Sequence, residues 1–203
     1  MKNRMFIFDL DGVLVDACEW HKDALNAALL EVCGHQISEE EHIKTFNGIP
    51  TKVKLEILSN KGVVPENKHS AIYESKQQKT IDIINERASF RKEKVDLINF
   101  LKDEGYIVCC YTNSIRQTAE LMLLKTGVLE LFDFVLTNQD VERPKPDPEG
   151  YSFLMEKYAV KKHMCFIVED SPKGLRSARA SGANVIQVSG PNDVSLENLK
   201  RYL

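Results

Sequence analysis

The chain has 203 residues, of which 43% are hydrophobic and 28% are charged. This composition predicts one folded domain, or a domain with an insertion, and excludes a disordered chain. The formal net charge of -3 argues against nucleic-acid binding, and no apolar run has the length of a membrane span. Five cysteines without metal-ligand spacing predict reduced thiols in a cytoplasmic compartment, and nothing here implies an oligomer.

The first 90 residues predict one strand followed only by helices. Residues 5–8 form a short apolar run typical of a buried strand, and this run stops at Asp9. Apolar residues at helical spacing lead up to Gly34, and a second helical stretch follows the turn residues at 47–50. A helical stretch of about 75 residues is too long for a loop, so it predicts an inserted subdomain.

After residue 90, predicted strands and helices alternate. Apolar runs predict strands at 106–111, 134–137, 164–168 and 184–188, with helices beginning near 115, 148 and 172. This alternation predicts a parallel sheet with helices on both faces, a Rossmann-like α/β core of three α/β/α layers. The predicted core is therefore 1–15 with 91–203, and the predicted helical cap is 16–90.

Polar residues follow four of the predicted strands. In open parallel sheets, ligands bind beyond the carboxyl ends of the strands. The polar residues at these positions are Asp9 and Asp11, Thr112 and Asn113, Lys145, and Glu169 and Asp170. Because the carboxyl ends of parallel strands share one edge of the sheet, these side chains are predicted to form one site.

Local sequence places three of these groups beside predicted helix starts. Ser114 with Gln117 predicts a capping box, and Asp147-Pro148 and Ser171-Pro172 each predict an N-cap followed by the first helical residue. Helix N-termini have free N–H groups and a positive dipole end. The predicted site therefore suits a phosphate group.

The residue types at this edge favour phosphoryl chemistry. Asp9 and Asp11 are two residues apart on an extended segment, so their side chains project to the same side. Several carboxylates in one cleft favour a bound cation, and Mg²⁺ commonly takes one or two carboxylates, waters and substrate phosphate. Lys145 offers a compact positive charge, and a carboxylate is the remaining nucleophile candidate.

Four segments resemble the motifs of the haloacid dehalogenase superfamily. These segments are Phe8–Val13, Tyr111–Ser114, Lys145–Pro148 and Val168–Ser171. The insertion is similar to the type 1 helical cap of the branch that contains phosphatases and β-phosphoglucomutase-like enzymes. The resemblance implies a Mg²⁺-dependent phosphomonoester hydrolase acting through an aspartyl-phosphate on a small phosphorylated metabolite, such as a sugar phosphate, phosphoglycolate or a nucleotide.

The resemblance also implies catalytic roles. Asp9 would be the nucleophile, and Asp11 would protonate the leaving oxygen and then deprotonate water. Thr112 and Lys145 would bind and stabilise the phosphoryl group, with Asn113 as a further donor to it.

The implied metal site uses the strand-end carboxylates. Mg²⁺ would be held by the Asp9 carboxylate, the Asp11 carbonyl and Asp170, with Glu169 in support. His21 lies in a segment similar to the one in which β-phosphoglucomutase and the phosphatases of this branch carry a cap-linker histidine, and it is a predicted substrate-binding residue.

The residues also bear on three other functions. Asp11 argues against dehalogenation, because dehalogenases of the superfamily lack this second aspartate. A phosphosugar mutase remains an alternative, but Thr51 stands where the mutase carries a phosphate-gripping arginine, and Lys52 cannot replace a bidentate guanidinium. A non-catalytic phospho-ligand binding protein is a third possibility, and it would be expected to have lost one of the motif residues.

Overall fold

The computed structural model describes residues 4–46 and 49–203. The chain divides into two compact units, one formed by Met1–Asp16 with Ala88–Leu203 and the other by Ala17–Arg87. The predicted cap spans 16–90. The second unit begins one residue later than this range and ends three residues earlier. Assigning the units as catalytic core and cap stays a prediction. Part of the turn predicted at 47–50 lies outside the described residues.

The first unit contains a parallel sheet of five strands. The strands are β1 (Arg4–Phe8), β2 (Tyr106–Tyr111), β3 (Phe134–Leu136), β4 (Cys165–Glu169) and β5 (Asn184–Gln187). Their order in the sheet is β3-β2-β1-β4-β5. Each predicted strand is present, with ends shifted by one residue at most.

The central strand brings the candidate site together. In β1, Phe8 pairs with Cys110 of β2 and with Val168 of β4, so the three strands end at the same level. The Asp9 N–H donates to the Val168 carbonyl at 3.0 Å, which continues the ladder by one residue. The chain changes direction across the sheet at β1, and such a switch point is where ligands bind in open α/β sheets.

Helices cover the sheet and form the second unit. Those of the second unit are α1 (Cys18–Cys33), α2 (Glu39–Glu41), α3 (Thr51–Asn60) and α4 (His69–Arg87), with a π-helical turn at His42–Phe46. Those of the first unit are α5 (Lys92–Asp103), α6 (Arg116–Thr126), α7 (Glu149–Lys157), α8 (Pro172–Ser181) and α9 (Leu196–Leu199). No helix of the described residues combines the length and apolar character needed to cross a membrane.

Each unit has its own hydrophobic core. In the first unit, Met5 and Ile7 of β1 pack in one cluster with Leu154 of α7 and Ala178 of α8. The second unit has a separate cluster contributed by α1, the π-helical turn, α3 and α4. Its buried members include Leu25, Leu29, Phe46, Leu55, Leu58 and Ile72.

The predicted capping box of Ser114 and Gln117 is wrong. α6 begins at Arg116 and has no side-chain cap. The Ser114 hydroxyl donates to Asp11 Oδ2 at 2.8 Å, and the Arg116 N–H donates to the side chain of Gln139. Because the fold brings Asp11 close to Ser114, the Ser114 hydroxyl contacts this carboxylate and does not cap α6.

The other two predicted helix starts are close to the observed ones. α7 begins at Glu149, one residue later than predicted, and Asp147 Oδ1 accepts a hydrogen bond from the Glu149 N–H at 3.0 Å. The N-cap at Ser171 is confirmed, because its hydroxyl accepts from the Gly174 N–H at 3.1 Å.

Candidate active site

Two aspartates lie at the carboxyl end of β1. Asp9 is 6% exposed, and Asp11 is partly exposed in the turn that follows. Gly12 adopts a φ of 85° and its N–H donates to the Val15 carbonyl at 2.7 Å, which closes the turn. A Cβ on Gly12 would lie 2.1 Å from Asp170 Oδ2. This turn therefore requires glycine for its backbone conformation and for its close approach to Asp170.

Lys145 joins the ends of three strands. Its Nζ lies 2.6 Å from Asp9 Oδ1 and 2.7 Å from Glu169 Oε1, and it donates to the Tyr111 carbonyl at 2.8 Å. The same ammonium lies 4.7 and 5.1 Å from the ring centroids of Tyr111 and Tyr151. With 5% of its surface exposed, Lys145 is a buried cation held by two carboxylates, a carbonyl and two aromatic rings.

These buried charges shift each other's pKa values. Burial raises the pKa of Asp9 well above its ordinary value, the Glu169 carboxylate adds to this shift, and Lys145 opposes it. Burial disfavours the Lys145 ammonium, but the carboxylates of Asp9 and Glu169 outweigh burial and raise its pKa. Lys145 therefore stays charged, and ionising Asp9 is costly unless further positive charge is close by.

Asp170 supplies an independent indication that the site accepts a cation. Its Oδ1 is buried and accepts no hydrogen bond within the described part of the chain. Burial and the Glu169 carboxylate raise the pKa of Asp170 to about 6. One oxygen from each of Asp9, Glu169 and Asp170 lies within 4.8 Å of the others. This donor set fits a hard divalent cation such as Mg²⁺.

Glu169 is fully buried, and both of its oxygens accept hydrogen bonds from the protein. Oε1 accepts from Lys145 at 2.7 Å and from the Tyr151 hydroxyl at 2.9 Å. Oε2 accepts from the Asp170 N–H at 3.1 Å and from the Ser171 N–H at 3.3 Å. Glu169 therefore fixes the position of Lys145, and its support of a metal stays a prediction.

Thr112 and Ser114 both donate to Asp11. The Thr112 hydroxyl lies 3.3 Å from Asp11 Oδ2, and the Ser114 hydroxyl lies 2.8 Å from the same oxygen. The Ser114 N–H in turn donates to the Thr112 hydroxyl oxygen at 3.0 Å. In this structure the Thr112 hydroxyl donates to Asp11. The predicted contact between Thr112 and a phosphoryl group stays a prediction.

Asn113 holds the loop that carries Lys145. Its Nδ2 donates to the Lys145 carbonyl at 3.0 Å, and its Oδ1 accepts from the Lys145 N–H at 3.1 Å. The side-chain amide thus pairs with both backbone groups of one residue. Its predicted donation to the substrate stays a prediction, and the structure gives it a role in placing Lys145.

Sequence reasoning missed two residues that shape the site. Tyr151 donates its buried hydroxyl to Glu169, and no local pattern distinguishes it from an ordinary core tyrosine. A Cβ on Gly174 would lie 1.9 Å from Glu169 Oε1, so α8 approaches the Glu169 carboxylate at a glycine. The available signal was a glycine in the first turn of a helix, where alanine is the better helix former.

His21 belongs to the second unit, where it lies on α1. Its Nδ1 lies 3.4 Å from Nζ of Lys76, a lysine of α4 that is 7% exposed. The predicted contact of His21 with substrate stays a prediction.

The strand order, with carboxylates and a lysine at the carboxyl ends of the strands, defines an open parallel α/β protein with a polar site at its switch point. Comparison with known proteins gives its family. Residues 6–188 match the model of the haloacid dehalogenase-like hydrolase family. The chain therefore belongs to this family, which confirms the resemblance noted in its motifs.

The relatives of the chain include proteins named as phosphatases. The phosphorylated carbohydrates phosphatase of Thermotoga maritima is 26% identical over 87% of this chain and 80% of its own length. The phosphoglycolate phosphatase of Nitrosospira multiformis is 26% identical over 90% of this chain and 81% of its own length.

A solved structure shares the fold. The structure of CbbY from Rhodobacter sphaeroides in complex with phosphate superposes with a TM-score of 0.81 at 23% identity, covering 93% of this chain and 87% of that one. The predicted Rossmann-like α/β fold is confirmed.

Proposed function

We propose that this protein is a Mg²⁺-dependent phosphomonoester hydrolase that acts on a small phosphorylated metabolite through an aspartyl-phosphate intermediate. The observation that carries the proposal is the buried Asp9 carboxylate, which is ion-paired to Lys145 and lies near Asp170 Oδ1, an atom that accepts no hydrogen bond from the residues described. A nucleophile, a fixed positive charge and cation-binding oxygens thus meet at the end of β1.

The wider enzyme class rests on the comparisons. The prediction of a haloacid dehalogenase-like phosphatase is confirmed by the family match and by the phosphatases among the relatives. The substrates in those relatives' names are phosphorylated carbohydrates and phosphoglycolate, which supports a small phosphorylated substrate here.

The first half-reaction transfers the phosphoryl group to the protein. An Asp9 carboxylate oxygen forms a bond to phosphorus while the bond from phosphorus to the leaving oxygen breaks. Asp11 gives its proton to that oxygen, so the leaving group departs as a neutral alcohol. The Lys145 ammonium, 2.6 Å from Asp9 Oδ1, offsets the negative charge of the phosphoryl oxygens.

The second half-reaction regenerates the enzyme. Water attacks phosphorus, its proton passes to Asp11, and the bond to Asp9 breaks to release phosphate and restore both side chains to their starting states. The Asp9 and Asp170 carboxylates and the Asp11 carbonyl would hold Mg²⁺, which would supply further positive charge beside the phosphoryl group. Glu169, Tyr151 and Asn113 fix the positions of these groups through their hydrogen bonds.

Hydrolysis is favoured over phosphosugar mutation. A mutase must hold a second phosphate while it transfers the first, and the residue expected to grip it is an arginine. Thr51, at the start of α3, occupies that position. A hydroxyl cannot replace a bidentate guanidinium, so transfer to water is the reaction that this chain supports.

The proposal is tested by phosphate release from a panel of sugar phosphates, phosphoglycolate, nucleotides and p-nitrophenyl phosphate. We expect Mg²⁺-dependent turnover that stops with EDTA and with Asp9→Asn. Asp103→Asn, which alters an exposed aspartate of the same unit, is the matched control and should keep full activity. Absence of turnover on the whole panel, or retained turnover in Asp9→Asn, would refute the proposal.

A further inference from the structure

Asp11 is held by two hydroxyl donors of unequal strength. The Ser114 hydroxyl lies 2.8 Å from Asp11 Oδ2, whereas the Thr112 hydroxyl lies 3.3 Å from the same atom. Hydrogen bonds between two oxygens are strongest near 2.7–2.8 Å and weaken beyond 3.0 Å. Of these two hydroxyls, Ser114 therefore makes the stronger hydrogen bond to Asp11, and Thr112 is the more easily released.

The backbone reinforces this arrangement. The Ser114 N–H donates to the Thr112 hydroxyl oxygen at 3.0 Å, so Ser114 contacts both members of the cluster. Neither residue serves a helix end in place of this contact, since α6 begins at Arg116 without a side-chain cap. Ser114 thus contacts Asp11 through its side chain and Thr112 through its backbone N–H.

We propose that Ser114 is the positioning residue for the general acid–base Asp11, and that it keeps Asp11 oriented while Thr112 is released to the phosphoryl group. The proposal rests on the phosphatase mechanism given above. A hydroxyl that donates to Oδ2 makes that oxygen the acceptor. The proton that passes to the leaving oxygen is then carried by Oδ1.

This division resolves a conflict in the predicted role of Thr112. Its hydroxyl has a single proton, which it cannot give to Asp11 and to a phosphoryl oxygen at once. The long bond to Asp11 can be exchanged for a bond to phosphoryl oxygen if a second donor remains on Oδ2. Ser114 is that donor.

The leaving group makes the proposal measurable. Departure of an alkoxide requires proton transfer from Asp11, whereas p-nitrophenolate leaves readily without a proton. The ratio kcat/KM reports the steps up to loss of the leaving group, before water attacks. A residue that orients Asp11 should therefore affect kcat/KM for alkyl phosphates far more than for p-nitrophenyl phosphate.

The experiment compares Ser114→Ala, Ser114→Thr and wild type on the best alkyl phosphate of the panel and on p-nitrophenyl phosphate. We expect Ser114→Ala to lower kcat/KM for the alkyl phosphate about 10–100-fold, because a misoriented general acid loses part of a contribution of about 10²–10⁴-fold. The loss on p-nitrophenyl phosphate should stay below about threefold, and Ser114→Thr should restore most of the activity.

Controls separate orientation from folding. Ser181→Ala removes a buried hydroxyl that donates to the Ala178 carbonyl in α8, and it should leave both substrates unaffected. In an Asp11→Asn background, Ser114→Ala should cause no further loss on the alkyl phosphate, because the group that it orients no longer transfers a proton.

The outcomes are distinct. Equal losses on both substrates, or no loss on either, would overturn the role of Ser114 while the phosphatase assignment stands. If wild type hydrolyses no phosphate ester, the phosphatase assignment fails, and the role of Ser114 fails with it.

Discussion

The contact between Gly174 and Glu169 predicts that adding one methyl group to α8 will disable the site. Alanine normally stabilises a helix relative to glycine by about 1 kcal/mol. At position 174, however, the new Cβ would lie 1.9 Å from Glu169 Oε1 and 2.1 Å from Oε2. We therefore expect Gly174→Ala to be destabilising, against the usual direction.

The magnitude follows from what must move. An ordinary contact needs 3.4 Å or more, so the Glu169 carboxylate has to shift by about 1.5 Å from its place beside Lys145. Separating one partner from a buried ion pair costs about 3–5 kcal/mol. Subtracting the helix gain of about 1 kcal/mol leaves a net loss of roughly 2–4 kcal/mol, or roughly 5–15 °C in Tm for a chain of this length.

The assay combines thermal unfolding with phosphatase kinetics. Gly174→Ala should lower Tm and reduce kcat/KM by about tenfold or more, because Lys145 loses a fixed partner. Gly190→Ala is the matched control. Apart from its two chain neighbours, no atom of the described residues lies within 4 Å of the new Cβ. Adding Glu169→Asp should recover part of the lost stability by shortening the crowded side chain. A Gly174→Ala protein as stable and as active as wild type would refute the reasoning.

Three further predictions concern single side chains. Burial lowers the pKa of Lys94 from 10.5 to about 8. As the pH rises from 8 to 10.5, the unfolded lysine binds a proton that the folded one lacks, so the free energy of unfolding increases by at most roughly 3 kcal/mol. Urea unfolding of Lys94→Met should show a flatter pH dependence. Tyr151→Phe removes a donor to Glu169 and should cost about 1–2 kcal/mol in chemical denaturation, and an unchanged midpoint would contradict that contact. Asp170→Asn should weaken Mg²⁺ binding about 10–100-fold in calorimetric titration, and an unaltered affinity would remove Asp170 from the metal site.

Most of the fold could be predicted because its signals are local. A buried parallel strand is a short apolar run, and β2 is predicted at its observed bounds, Tyr106–Tyr111. Gly127 alone predicts the end of α6, because its φ of 86° lies in the left-handed region that favours glycine. Parallel pairing then follows from the alternation of strands and helices, which places the polar residues at one edge of the sheet.

The site was only partly predictable because its hydrogen bonds join distant parts of the chain. Ser114 followed by Gln117 satisfies a capping pattern, yet the Ser114 hydroxyl donates to Asp11, which lies 103 residues away. Tyr151 contacts Glu169 only after α7 packs against β2 and α8, and no neighbouring residue signals this. Sequence patterns identify residues suited to the chemistry, but the packing decides which of them bind substrate and which hold their neighbours.

The side chain of Asn113 makes the hydrogen bonds that a backbone peptide group would make. Its side-chain amide bonds both the N–H and the carbonyl of Lys145, as a backbone peptide group of a neighbouring strand would. An aspartate has no N–H to give, and a glutamine is one methylene longer, so asparagine alone matches a peptide group at this distance. Transplanting the Lys145 loop into another parallel sheet would therefore fail unless this asparagine were carried with it.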